Sequence, residues 1–357
     1  MELGGLSWNE RLTLYGLVRH PELSDRLLSR VLGLKSPTLT AARRKLRSEG
    51  WYRVVRVPIL GRLGGELLCV ARARLNICKP REALLRAMKG PLAEIGSVFF
   101  AIADRLNLIC LSMCTNFTQA WSDSERLHSL LTERGALAPG SAGRPATILP
   151  LSHMSLVRFL DFASTAHYSL GIQGPPPEPA SPTDAGKDGP VHLSRVERAV
   201  YCGLVKFPEL SDRALAKKVG VARQSVSRIR RRLGKAGLLL TVAVPDIRRL
   251  GPEILALWEL EFRPATSVGE RAKAIEGALR AFPAFLHLIS GREGVVMGLV
   301  KDFSALQRIY TEFLKIHLDK GYFTEEPRLT PLSIRELSVV KDFTFAPIVE
   351  WAVGAED

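Results

Sequence analysis

Leu-Ser-Asp-Arg-Ala-Leu-Ala-Lys-Lys-Val-Gly-Val-Ala-Arg-Gln-Ser-Val-Ser-Arg-Ile-Arg-Arg-Arg-Leu-Gly-Lys-Ala-Gly-Leu-Leu, residues 210–239, reads as two short helices around a glycine turn. Ser211 is a natural N-cap, and Asp212 sits at the positive end of the first helix dipole. Gly220 supplies the left-handed residue that stops that helix. The second runs roughly Arg223 to Ala236, buries Val226, Ile229 and Leu233 at helical spacing, and stops at Gly237. Upstream, Val196, Val200, Leu204 and Val205 mark another helix. Downstream, Leu238 to Val244 is apolar and β-prone, ending at Pro245. Three helices followed by a β ribbon form the winged helix-turn-helix pattern.

The same pattern occurs earlier in the chain. Residues 6–68 align without a gap on 193–255, with 27 of 63 positions identical at an offset of 187. A period this long is a whole module written twice rather than a solenoid. Ser24 is the matching cap and Gly33 the matching turn. Ser36-Pro37 opens the third helix as N-cap and N1, Gly50 closes it, and Trp51 to Val57 is the wing.

Each module continues into alternating strands and helices. In copy two these are Ile254–Phe262, Val268–Phe282, Phe285–Ile289, Val295–Val300, Phe303–Leu318 and a last strand within Arg328–Val339. Copy one has Leu67–Ile77, Arg81–Lys89, Ile95–Ala103, Leu106–Thr115, Phe117–Glu133 and a strand near Ala146–Leu151. The order βαββαβ predicts a ferredoxin-like sandwich, so the fold class is α+β. Pro150-Leu151-Ser152 and Asp161-Phe162 are echoed by Pro331-Leu332-Ser333 and Asp342-Phe343, so the duplication reaches the tails. The expected division is a first winged helix-turn-helix over 1–62, a first sandwich with tail over 63–172, a Pro/Gly-rich linker over 173–191, a second winged helix-turn-helix over 192–249, and a second sandwich with tail over 250–357.

Fifty Lys and Arg against 36 Asp and Glu leave a formal charge of +14, which favours a polyanionic partner. No apolar run is long enough to span a bilayer, and the N-terminus lacks the pattern of a signal peptide, so a cytoplasmic location without membrane contact is expected. The five cysteines (Cys69, Cys78, Cys110, Cys114 and Cys202) are scattered and read as buried free thiols, with no metal and no cofactor implied.

The third helix of copy two carries the chemistry. Residues 223–237 hold Arg223, Arg228, Arg230, Arg231, Arg232 and Lys235 with no acidic residue. Arg223, Gln224, Ser227, Arg228 and Arg231 share the face opposite the apolar stripe. Arg and Gln reach base edges bidentately in a major groove, whereas Arg230 and Arg232 are expected on phosphates. The copy-one helix offers Ser36, Thr38, Thr40, Arg43 and Arg44, with hydroxyls in front in place of guanidiniums. Phosphate contacts and weaker base discrimination are expected there, and so a target with unequal half-sites.

Residues 193–245, joined to a βαββαβ partner, resemble the Lrp/AsnC family of prokaryotic transcription regulators. Over the sandwich the likeness is one of element order only. Family members are about half this length and dimerise through the sandwich, so the resemblance implies a covalent pseudo-dimer acting on double-stranded DNA; assembly of chains into a homodimer stays open. It maps base and backbone contacts onto Arg223, Gln224, Ser225, Ser227, Arg228 and Arg231, and in copy one onto Ser36, Thr38, Thr40, Arg43 and Arg44. Family sandwiches often bind amino acids through a glycine-containing loop. Gly291-Arg292-Glu293-Gly294 has that composition while copy one has Asp104-Arg105-Leu106-Asn107, so at most one copy keeps a small-molecule effector site, at Gly291, Arg292 and Gly294.

Two other classes compete. Sirohaem decarboxylases resemble this domain pairing, but the seven histidines do not repeat between copies or cluster, and no P-loop, GxSxG, HExxH or CxxC occurs. No enzymatic activity is therefore expected. A protein-interaction scaffold with degenerate helix-turn-helix units is the other alternative, and copy one fits it better than copy two.

Overall fold

A computed structural model describes residues 5–141, 147–175, 177, 192–279 and 282–354. Most of the expected linker, 173–191, lies outside them. Copy one runs α1 (Trp8–Arg19), α2 (Asp25–Leu32), α3 (Ser36–Ser48), β1 (Tyr52–Pro58), β2 (Leu67–Arg74), α4 (Arg81–Glu94), β3 (Val98–Ala103), β4 (Asn107–Cys114), α5 (Phe117–Glu133), β5 (Thr147–Pro150), β6 (Met154–Phe159) and α6 (Ala163–Ser169). Copy two repeats the series as α7 (Arg195–Lys206), α8 (Asp212–Val219), α9 (Arg223–Lys235), β7 (Leu239–Pro245), β8 (Ile254–Glu261), α10 (Val268–Leu279), β9 (Ala284–Ser290), β10 (Glu293–Val300), α11 (Phe303–Lys315), β11 (Arg328–Ser333), β12 (Ser338–Lys341) and α12 (Ala346–Gly354).

The duplicated residues do the same local work twice. Ser7 and Ser194 cap α1 and α7 in reciprocal boxes with Glu10 and Glu197. Gly33 and Gly220 close α2 and α8 at φ of 66° and 75°. Gly16 and Gly203 serve close packing: a Cβ would lie 2.5 Å from Leu32 at the first and 2.8 Å from Val219 at the second. One cap is displaced by a residue. Lys35, not Ser36, is the N-cap of α3, which places Ser36 and Pro37 in its first turn. Of the cysteines, Cys69, Cys110 and Cys114 are buried as expected, but Cys78 is exposed and Cys202 half-buried.

The expected wing takes a different form. Among the described residues no hairpin folds back on α3 or α9; β1 and β7 are instead hydrogen-bonded to one another as a two-stranded sheet. An edge left open by one module is closed by its duplicate.

The compact units cut across the duplication. The first comprises the described residues of Met1–Val54, Ser155–Thr183 and Thr241–Arg335, so the helix-turn-helix of copy one belongs with the sandwich of copy two. The second comprises those of Val55–Met154, Asp184–Leu240 and Glu336–Asp357, the converse pairing. In both sheets the four strands of the sandwich pair antiparallel in ferredoxin-like order, and each sheet gains a fifth strand. In the first unit the order is β11-β8-β10-β9-β6, and in the second β12-β3-β4-β2-β5. The added strand next to β9 is β6, from the tail of copy one. The added strand next to β3 is β12, from the tail of copy two.

The tail helices follow their strands. In the first unit α6 packs on α1 and β9; Thr165 donates to the Pro283 carbonyl at 2.9 Å, and Phe162 stacks on Phe285 at 4.5 Å. In the second, α12 packs on α7, with Arg198 donating to the Val353 carbonyl at 3.1 Å and Lys206 pairing with Glu350 at 2.9 Å. Lys341 of β12 also donates to the carbonyls of Leu92 and Ile95, satisfying acceptors at the end of α4.

The core of the first unit gathers Trp258, Phe262, Phe282, Phe313 and Phe323; that of the second gathers Leu84, Met88, Leu92, Cys110 and Leu131. His287 of β9, opposite Val296, is fully buried, and no described residue bonds either ring nitrogen. Burial first, and the positive charge of Arg158 second, pull its pKa down from 6.5 to about 3. The folded imidazole therefore resists a proton that the unfolded one accepts. Its contribution to stability is full above pH 6.5 and is lost as pH falls toward 3. Urea midpoints followed through buried Trp258 of the same unit should fall across that window. His287→Leu should flatten the fall; an unchanged slope would show that other groups set it.

Candidate nucleic-acid interface

In the second unit α9 rests on α7 and α8 through Val226, Ile229 and Leu233, all buried as the helical spacing requires. The opposite face presents Arg223, Gln224, Arg228, Arg231 and Arg232 exposed, with Ser225 and Ser227 half-buried. The four long side chains Gln224, Arg228, Arg231 and Lys235 follow one stripe at i, i+4, i+7 and i+11.

Partners divide this cationic set. Arg230 pairs with Asp212 of α8 at 2.9 Å, and Arg232 pairs with Glu197 of α7. Glu197 is held below its ordinary pKa first by the Ser194 backbone, then by the Ser194 hydroxyl and by Arg232. These two arginines clamp the three helices together. The acidic residues missing from α9 itself are supplied by the preceding helices. Arg231 bonds only within its helix, Nε to the Ser227 carbonyl at 3.4 Å. The side chains of Arg223, Gln224 and Arg228 make no hydrogen bond or ion pair with any described residue.

In the first unit α3 has the same clamps and less left over. Arg43 and the Thr40 hydroxyl both bond Asp25, the hydroxyl at 2.8 Å, and Lys45 pairs with Glu10 at 2.7 Å. The Lys45 hydrogen bond is the main reason Glu10 lies below its ordinary pKa. Of the expected copy-one contacts, Thr40 and Arg43 are thus committed internally, Thr38 is half-buried, and Ser36 and Arg44 are exposed. The clamps were detectable in the sequence, because Asp25/Arg43 and Asp212/Arg230 are both retained at the same spacing of 18.

No family model and no curated protein matches the sequence. Among solved structures, the chain is similar over 97% of its length to the siroheme decarboxylase NirDL, covering 99% of that chain at 14% identity and a TM-score of 0.49. It is also similar, over 39% of its length, to an AsnC family transcriptional regulator from Agrobacterium tumefaciens, covering 89% of that chain at 19% identity and a TM-score of 0.31. LrpC of B. subtilis gives the same identity over 40% of this chain and 95% of its own, with a TM-score of 0.30. At 14–19% identity the side chains, not the likeness, decide the chemistry.

The glycine-containing loop is the turn between β9 and β10. Gly291 takes φ of 55°, its carbonyl accepts Arg271, and the Arg292 carbonyl accepts the Phe262 N–H at 2.8 Å. Gly294 lies within β10, where a Cβ would meet Leu260 and Phe262 at 3.3 Å. The left-handed backbone of the turn accounts for Gly291, and close packing accounts for Gly294. Among the described residues no group of three or more His, Cys, Asp or Glu is placed to hold a metal, and no helix is long and apolar enough to cross a membrane.

Proposed function

We propose that the chain is a sequence-specific transcription regulator of double-stranded DNA, in which α9 reads base edges and α3 contacts mainly phosphates. The carrying observation is the division of the arginines of α9. Two are neutralised by carboxylates of neighbouring helices, while Arg223 and Arg228, with Gln224 between them, stand exposed and unpartnered among the described residues. A solvated structural face has no need of this segregation, whereas a major-groove helix needs donors that its own protein does not consume. The α3 face leaves Ser36 and Arg44, suited to backbone contact more than to base discrimination.

A second reading is favoured for copy one by its exposed apolar side chains. Trp8, Leu27 and Val31 are 45%, 48% and 58% exposed where copy two has Arg195, Ala214 and Lys218. Such a surface suits a protein-contacting scaffold. Siroheme decarboxylation, the activity named for the full-length neighbour, has less support. The cavity of about 290 Å³ in the first unit has no histidine in its lining and sits at the lower edge of the usual ligand range of roughly 300–1,000 Å³.

Competition between a selected duplex and random duplex at two salt concentrations separates the readings. A regulator loses affinity steeply with salt yet prefers its own site by about 4–10 kcal/mol. Equal affinity for both duplexes would favour the scaffold. A Soret-type band in the purified protein would favour the tetrapyrrole reading.

A further inference from the structure

The first unit holds the cavity of about 290 Å³, walled by the last turn of α6, the segment entering β8, the head of β9, the end of β10 and the first turns of α11. Its lining is mostly apolar, with Pro283, Ala305 and Ile309 prominent. Three polar residues are among its lining: Tyr168, Ser169 and Lys301. Among the described residues, no carboxylate lines it.

The Lys301 carbonyl accepts the Glu253 N–H at 3.0 Å, but its ammonium has no ion pair or hydrogen bond with a described residue. The adjacent carboxylate is occupied, because Asp302 caps α11 by accepting the Ala305 N–H at 2.8 Å. The fold itself does not require a cation at this place. The corresponding residue at the end of β4 is Thr115, preceding Asn116, the cap of α5, and its hydroxyl is tied to Gln119 at 2.7 Å. Copy two thus keeps a lone positive charge at an apolar cavity where copy one has a satisfied hydroxyl.

We propose that this cavity binds a small apolar monocarboxylate, the carboxylate paired with Lys301 and the apolar body against Ala305 and Ile309. A mostly apolar, partly open cavity with one ammonium that lacks a carboxylate partner selects a single negative charge on a hydrophobic body. A dianion would leave one charge unpaired, and a neutral analogue would leave the lysine without a partner. Binding also has a route to the first helix-turn-helix. Helix α6, whose last turn walls the cavity, packs on α1, where His167 meets Tyr15 edge-on at 5.8 Å. An occupant under Tyr168 and Ser169 braces that helix. None of this depends on what α9 contacts.

Calorimetric titration of the full chain with 3-phenylpropionate, hexanoate and the neutral 3-phenylpropionamide tests the site. Ligands of this size are expected to bind with Kd near a millimolar or tighter. At least one carboxylate should bind, with the amide about tenfold weaker or worse. Lys301→Met should remove the preference for carboxylate while leaving amide binding unchanged. Ala305→Phe should abolish binding of all three. Hydrogen exchange in the presence of the bound carboxylate should slow at the amides of α6. The proposal is overturned if neither carboxylate gives saturable heat, or if Lys301→Met leaves carboxylate affinity unchanged. It is likewise overturned if a folded Ala305→Phe protein still binds. Should Ala305→Phe fail to fold, the exposed Lys301→Met substitution decides alone.

Discussion

Phe345→Ala is expected to destabilise the second unit by about 3–5 kcal/mol while sparing the first, even though Phe345 belongs to copy two and the sheet it supports to copy one. Phe345 is 1% exposed and stacks at 4.8 Å on Phe99 of β3, itself fully buried. Phe343 stacks on Phe100 at 4.1 Å one residue further along β3. Truncating Phe345 removes a large apolar surface from a dense site and leaves a cavity that the paired strand cannot collapse around. Hydrogen exchange resolved by peptide reads the outcome. Amides of β2, β3 and β4 should lose protection, and those of β8, β9 and β10 should keep it. The reverse pattern would mean that each tail supports the sheet of its own copy.

That exchange of tails was the part of the fold least legible in the sequence. The elements themselves were plain. Ser194, Ser211 and Gly220 mark their helix ends, the Val226/Ile229/Leu233 stripe fixes the inward face of α9, and βαββαβ recurs in both copies. Strand pairing is another matter. Two similar sheets each offer an open edge, and short strands such as Met154–Phe159 and Ser338–Lys341 carry no periodicity that distinguishes their own sheet from its duplicate. Tertiary contacts such as Phe345 on Phe99 and Lys341 at the end of α4 decide the pairing. The interface was half legible for a similar reason. Helical spacing put Arg230 and Arg232 among the outward cations, but their carboxylate partners lie on other helices, beyond the reach of a pattern read along one helix.

The second large effect concerns α9. A variant combining Arg223→Ala, Gln224→Ala and Arg228→Ala should lose base discrimination worth about 1–3 kcal/mol for each contact removed, while keeping its thermal stability. All three side chains are exposed and none has a partner among the described residues, so their removal leaves no buried group unsatisfied. Arg230→Ala is the contrasting control. It leaves Asp212 without its cation, and a loss of helix-turn-helix stability should precede any loss of specificity. Because Asp212 is itself partly accessible, that cost should stay near the upper end of about 0–1 kcal/mol for exposed pairs.

In vitro selection from a random duplex library, run in parallel with the wild-type chain and the triple variant, tests the central claim most directly. The wild type should enrich an unequal pair of half-sites, with most of the sequence information in one of them. The variant should lose that half and retain salt-dependent binding to duplex of any sequence. An enriched motif unchanged by the triple substitution, or no enrichment by the wild type at all, would contradict the assignment of α9 as the helix that reads bases.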